Sequence, residues 1–169
     1  SKIIREMKNT IEFLSWFVGL VLLQVLLLNN IEIVGIINPF LYIYLIIALP
    51  IQTNRVLLLI GGFVLGLTID MFSNTWGIHA MATTLIAFLR PYILRLTSTQ
   101  EEMDRVVPRF RTMGGDYVKY IILMVVVHHL SLFSLEAFSF KYFGIVLLKS
   151  VVSSALTILL IFTLEKIRK

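Results

Sequence analysis

Apolar positions fall in long runs with brief polar breaks. The first run covers 13–28; Lys2, Arg5 and Lys8 precede it and Asn29-Asn30 closes it. A basic start before an apolar run also begins signal peptides, but no small-residue cleavage pattern follows, so the run reads as an uncleaved first helix. The next stretch, 31–50, is broken by Glu32, Gly35 and Asn38-Pro39. Proline in a helix's first turn lacks only an N–H that would be unpaired anyway. The pattern therefore predicts a short second helix over 39–50, with 31–37 an apolar segment at the interface. Further runs predict helices over 56–71, 76–94, 117–135 and 143–164, with a polar connector over 97–116. At about 20 residues per crossing, the expectation is an all-α, single-domain membrane protein of six transmembrane helices.

Composition agrees. The 169 residues are 58% hydrophobic and 15% charged, and mean hydropathy is +0.91. Soluble domains carry roughly 45–50% apolar and about 25% charged residues. Six crossings leave no room in this sequence for a separate soluble catalytic domain. Cysteine is absent, which excludes disulfides, thiolate nucleophiles and Cys-ligated metals.

The net charge of +5 reports orientation. With the N-terminus inside, 13 of the 15 basic residues fall on the inner side: Lys2, Arg5, Lys8, Arg55, Arg90, Arg95, Arg105, Arg109, Arg111, Lys119, Lys166, Arg168 and Lys169. Short basic loops resist translocation, so both termini are expected in the cytoplasm of a bacterial inner membrane. The charge gives no support for a nucleic-acid partner. Trp76 and Tyr142 suit the outer interface, and Tyr92, Tyr117 and Tyr120 the inner one.

In the connector, Ser98 to Glu101 has capping-box spacing and predicts a short helix over 99–107, stopped by Pro108. Asp116 is placed to cap the fifth span. Arg105, Arg109 and Arg111 give two readings: contacts to anionic headgroups, or a weak docking surface for a cytoplasmic partner.

Charges inside a bilayer cost about 2.5–3.5 kcal/mol each on insertion scales, so each needs a reason. Asp70 and His79 flank the turn between the third and fourth spans. His128 falls roughly 16 Å along the fifth span from Tyr117, with His129 beside it; Glu136 ends that span and Lys149 lies in the sixth. The favoured reading is structural: histidines hydrogen-bond across helices, and Lys149 snorkels or pairs with Asp70 or Glu136. The alternatives are a metal or proton site and a binding pocket open to the outside. Adjacent histidines project about 100° apart on a helix, and no HExxH or Glu-x-x-His pattern occurs. No catalytic residue, metal site or cofactor is expected.

Gly62 and Gly66 form a GxxxG spacing that lets another helix approach closely. The matching face is either Ala80, Thr83, Thr84 and Ala87 of this chain or a helix of a partner. The run Gly62-Phe63-Val64-Leu65-Gly66-Leu67-Thr68-Ile69-Asp70, then Gly77-Ile78-His79-Ala80, resembles the central signature of the MreD family of bacterial rod shape-determining membrane proteins. Asn38-Pro39 and Phe88-Leu89-Arg90 are similar too, as are overall length and layout. The corresponding family positions are Pro39, Gly62, Gly66, Asp70, Gly77 and His79; the His128-His129 pair has no counterpart in the family pattern.

The resemblance implies a non-enzymatic scaffold or regulatory subunit of the cell-wall elongation complex. Its implied partners are the bitopic MreC, the actin-like MreB, the glycosyltransferase RodA and a penicillin-binding transpeptidase, all at the lipid bilayer. The implied fold resembles the substrate-binding component of energy-coupling-factor transporters. On this reading Gly62 and Gly66 pack a partner helix, while Asp70 and His79 make a structural polar contact at the outer face. The alternative function is the vitamin-binding membrane component of such a transporter. An intramembrane enzyme using Asp70, His79, His128 or Glu136 ranks last.

Overall fold

The computed structural model describes residues 2–168, with side chains from Asn9 onward. The side chains of Lys2, Arg5, Lys8 and Lys169, which weigh in the orientation argument, lie outside the described residues. Every regular element among the described residues is helical. They are α1 (Lys2–Leu26), α2 (Tyr44–Ile47), α3 (Arg55–Ser73), α4 (Ile78–Thr97), α5 (Gln100–Met103), α6 (Phe110–Met113), α7 (Gly115–Ala137) and α8 (Phe143–Ile167). Single 3₁₀ turns occupy Leu28–Asn30, Leu41–Ile43 and Phe140–Tyr142.

Among the described residues, four segments are long and apolar enough to cross a membrane: Asn9–Asn30, Arg55–Ser73, Gly115–Ala137 and Phe140–Ile167. The 20 residues of α4 reach about 30 Å at 1.5 Å each, but this helix carries His79, Thr83, Thr84, Arg90 and Pro91 and is less apolar. The long helices pack in the order α1, α3, α4, α7, α8. Residues 39–47 run among them, buried at every position.

That buried segment corrects the expected helix over 39–50. Helix begins only at Leu41, as a 3₁₀ turn, and α2 ends at Ile47. Backbone groups that a helix would have used are held by side chains instead. The Gln24 amide donates to the Pro39 carbonyl at 2.9 Å and accepts from the Leu41 N–H at 2.8 Å. The Phe40 N–H donates to Thr157 Oγ1 at 3.1 Å, and the Asn38 N–H to Ser153 Oγ at 3.0 Å. Side chains of two neighbouring helices thus satisfy an irregular stretch of backbone, as the interior of a bundle requires. Upstream, 31–37 folds on itself through an Ile33–Ile37 bridge, with Val34 and Gly35 at positive φ.

Two ends of the bundle are defined by contacts distant in sequence. Asn29 Nδ2 donates to Ser73 Oγ at 2.8 Å, so α1 and α3 finish together at one end. At the opposite end, the Ile51 N–H donates to the Val106 carbonyl at 3.0 Å, and Tyr44 reaches Glu165 near the close of α8. The chain between Asn30 and Asn54 therefore traverses the bundle's length, although only seven of its residues near the centre are helical.

The connector also differs from expectation. The capping box is Thr99 with Glu102, one residue later than the predicted Ser98–Glu101 pair. Ser98 instead ends α4, where its N–H bonds to the Leu94 carbonyl. The single helix expected over 99–107 is only Gln100–Met103, and a second turn, α6, follows Pro108. Asp116 does not cap α7, whose N-cap is Gly114; it pairs with Lys119 at 2.8 Å.

Candidate functional site

The turn between α3 and α4 is built on one carboxylate. α4 opens at Gly77, whose φ of +86° suits glycine and whose lack of a side chain leaves the first amides of the helix without a cap of their own. Asp70, one turn before the end of α3, supplies it. Its Oδ1 accepts the His79 N–H at 3.0 Å and its Oδ2 the Ala80 N–H at 2.9 Å. Thr75 Oγ1 donates to Oδ1 at 2.5 Å, and His79 Nδ1 lies 3.0 Å from that oxygen. Asp70 is buried, and a carboxylate at a helix N-terminus meets both free amides and a favourable dipole.

Glycine brings the two helices together below this turn. A Cβ on Gly66 would stand 2.5 Å from the His79 carbonyl oxygen and 2.6 Å from Ala80 Cα; one on Gly62 would stand 2.8 Å from Ala87 Cβ. This corrects the partner-helix assignment of Gly62 and Gly66. Their face is filled by α4 of the same chain, the other option the spacing left open.

Further in, a continuous polar chain links four elements. Thr83 Oγ1 on α4 is 3.2 Å from Tyr42 Oη, which is 2.8 Å from His128 Nε2 on α7. His128 Nδ1 is 3.5 Å from His129 Nδ1, and His129 Nε2 is 2.9 Å from Thr157 Oγ1 on α8. His129 Nδ1 also lies 2.9 Å from the Val125 carbonyl. A carbonyl only accepts, so that nitrogen carries the hydrogen, and Thr157 must donate to Nε2. His128 Nδ1, facing the same N–H, then presents its lone pair. Its hydrogen sits on Nε2 and points at Tyr42, whose own O–H is directed to Thr83. Phe40 packs its ring against His79, His128, His129 and Phe133 at centroid distances of 5.3–6.1 Å, so the space between the histidines is filled.

Toward the other end, Arg90 is 1% exposed and has no carboxylate partner among the described residues. Its guanidinium caps the chain after α2 instead, donating to the carbonyls of Leu49, Pro50 (3.3 Å) and Ile47 (3.5 Å). Its Nε donates to Tyr120 Oη at 3.0 Å, and that hydroxyl donates to the Ile47 carbonyl at 2.9 Å. Nearby, Glu165 Oε2 accepts from Tyr44 at 2.6 Å and from Tyr117 at 3.3 Å.

The remaining residues singled out in the sequence are dispersed. Lys149 pairs with neither Asp70 nor Glu136; its ammonium lies 5.7 Å from the Phe133 ring centre, a cation–π contact. Glu136 is exposed. Arg105 and Arg111 are exposed, Arg105 bonding only Glu101 at 3.5 Å, while Arg109 is half-buried with an unpartnered Nε. Among the described residues no group of three or more metal-ligating side chains forms.

The sequence reading misses Gln24, Tyr42, Thr157 and Glu165, and takes Arg90 as an inner basic residue and part of the Phe88-Leu89-Arg90 similarity, with no structural role. One signal was available: Ser150, Ser153, Ser154 and Thr157 recur at helical spacing on an apolar helix and are all buried.

A lateral groove of about 720 Å3 runs beside α4. Phe63, Met81, Leu85 and Phe88 wall it, while Thr84, Ser131 and Ser134 give it a floor of small side chains. Comparison with protein-family models, curated proteins and solved structures finds no match for this chain.

Proposed function

We propose that this chain is a non-enzymatic membrane scaffold of the MreD type, a regulatory subunit of a cell-wall elongation complex that binds the single helix of an MreC-like protein. The groove beside α4 carries this reading. It has apolar walls and small residues at its base, the arrangement that lets a helix pack closely in lipid, where dispersion and shape replace the hydrophobic effect. Apart from His79 Nε2 and Ser154 Oγ, which have no partner among the described residues, the interior polar side chains that link Thr83 to Thr157 are bonded to each other or to backbone. This favours a structural role for that network over nucleophilic or acid–base chemistry.

Six crossings accompany the proposal. α4 has the length for one, with His79, Thr83 and Arg90 buried toward the bundle, and the traverse of 30–54 supplies another as irregular backbone, buried over 39–47. The Asp70 end faces outward and the Glu165 end faces the cytoplasm, following the basic-residue bias. The vitamin-binding alternative needs an outer cavity, and Phe40 with its ring contacts takes up that space.

The test fills the groove from its floor. T84F and S134F point into open space beside α4 and leave the glycine contacts intact. Either substitution should reduce co-purification of an MreC-like partner at least tenfold, with RodA and the transpeptidase lost alongside. Retained co-purification by a folded double variant rejects the groove as the docking face.

A further inference from the structure

At the Glu165 end a second cavity, about 270 Å3, opens between the start of α1 and the chain leaving α2. Phe13, Trp16, Leu45 and Val107 give it apolar sides; Glu12 and Arg168 stand on its lining with opposite charges. Among the described residues these two form no ion pair, with each other or with anything else. Arg168 donates one N–H to Tyr44 Oη at 3.4 Å, and Glu12 accepts no hydrogen bond from any other of the described residues.

Asn9, Glu12, Phe13 and Trp16 share one face of α1 by their spacing of three and four. The Trp16 ring is held edge-on to Tyr44, with centroids 5.9 Å apart. An amphipathic aromatic ring beside two charges at the end of apolar helices is the arrangement of a membrane interface.

We propose that this cavity binds a zwitterionic phospholipid with a primary amine, of the phosphatidylethanolamine class, its phosphate on Arg168 and its ammonium on Glu12. Charge complementarity selects this occupant. A guanidinium matches a phosphate with paired N–H donors, and a carboxylate accepts from an ammonium; an anionic lipid without the amine leaves Glu12 facing negative charge, and choline has no N–H to donate. Sites that engulf a whole drug-sized molecule take about 300–1,000 Å3, so this volume admits the headgroup and the top of one chain.

Trp16 is the reporter. The chain has two tryptophans, and Trp76, 97% exposed at the far end, is removed by W76F. In nanodiscs of unlabelled phosphatidylcholine, phosphatidylethanolamine with brominated acyl chains should quench Trp16 at a several-fold lower mole fraction than brominated phosphatidylcholine or phosphatidylglycerol. E12Q, at an exposed position, should erase that preference while leaving helical content unchanged. R168Q should weaken quenching by all three. Equal quenching by the three lipids overturns the proposal, as does a preference for phosphatidylglycerol or a preference that survives E12Q.

Discussion

The Cβ that Gly66 lacks would stand 2.6 Å from the Cα of Ala80, on the neighbouring helix. Backbone meets backbone there, so no rotamer change can relieve the clash. G66A should therefore separate α3 from α4 and cost about 1–3 kcal/mol, the range for overpacking a filled interior. G61A is the matched control, because nothing lies within 4 Å of the Cβ it adds. Thermal unfolding in detergent, followed by helical circular dichroism, should show a lower midpoint for G66A and an unchanged or higher one for G61A.

Separation of those helices would also disturb the carboxylate above them. Asp70 accepts from two backbone amides of α4 as well as from Thr75. D70N keeps one acceptor oxygen but turns an NH2 group toward donors, and hydrogen bonds to a charged group are worth about 1.5–3 kcal/mol. D70N should lower the unfolding midpoint and speed hydrogen exchange at the amides of His79 and Ala80. T75V removes one donor and leaves the cap, so its effect on those two amides should be small. Equal protection in D70N and the parent protein would show that the turn does not depend on the charge.

How much of this was legible follows from the physics of each element. Long apolar runs announce themselves, so α3, α7 and α8 match their predicted positions within a few residues, while α1 begins at Lys2, eleven residues before the run predicted over 13–28. Gly62, Gly66, Asp70 and His79 stood out because glycine pairs and buried charges are costly without a reason. The segment at 39–47 did not, because its conformation is decided by Gln24, Ser153 and Thr157, residues 15 to 117 positions away. Pro39 reads as a helix start; side chains on α1 and α8 bond the backbone groups of its neighbours instead. Arg90 was hidden for a similar reason, since its role depends on carbonyls 40 or more positions earlier.

Arg90 is the residue on which the far end depends. Replacing it with methionine preserves bulk but leaves the carbonyls of Leu49 and Pro50 without that donor, at about 1–3 kcal/mol for each group that stays buried. Lysine restores charge without the planar fork that reaches several acceptors at once, so R90K should recover only part of the loss. The chain has no cysteine, which makes I51C, at a buried position, a clean reporter. Maleimide should label I51C slowly in the parent background, fastest with R90M, and at an intermediate rate with R90K.

The interior polar chain makes a prediction about hydrogens. With the Val125 carbonyl fixing the first proton, His129 carries hydrogen on Nδ1 and His128 on Nε2, two different neutral tautomers at adjacent positions. Nitrogen chemical shifts of 15N-labelled histidine in nanodiscs distinguish protonated from bare ring nitrogens at both sites. Y42F should move the His128 signals, since its Nε2–H loses the oxygen 2.8 Å away. T157V should move those of His129 and also free the Phe40 N–H, which donates to the same hydroxyl. Each variant strands a buried polar group and should cost about 1–3 kcal/mol. The costs should fall short of additive in Y42F/T157V, because residues joined in one network couple by about 0.5–3 kcal/mol. If both histidines showed the same tautomer, the order of donors and acceptors from Thr83 to Thr157 would have to be redrawn.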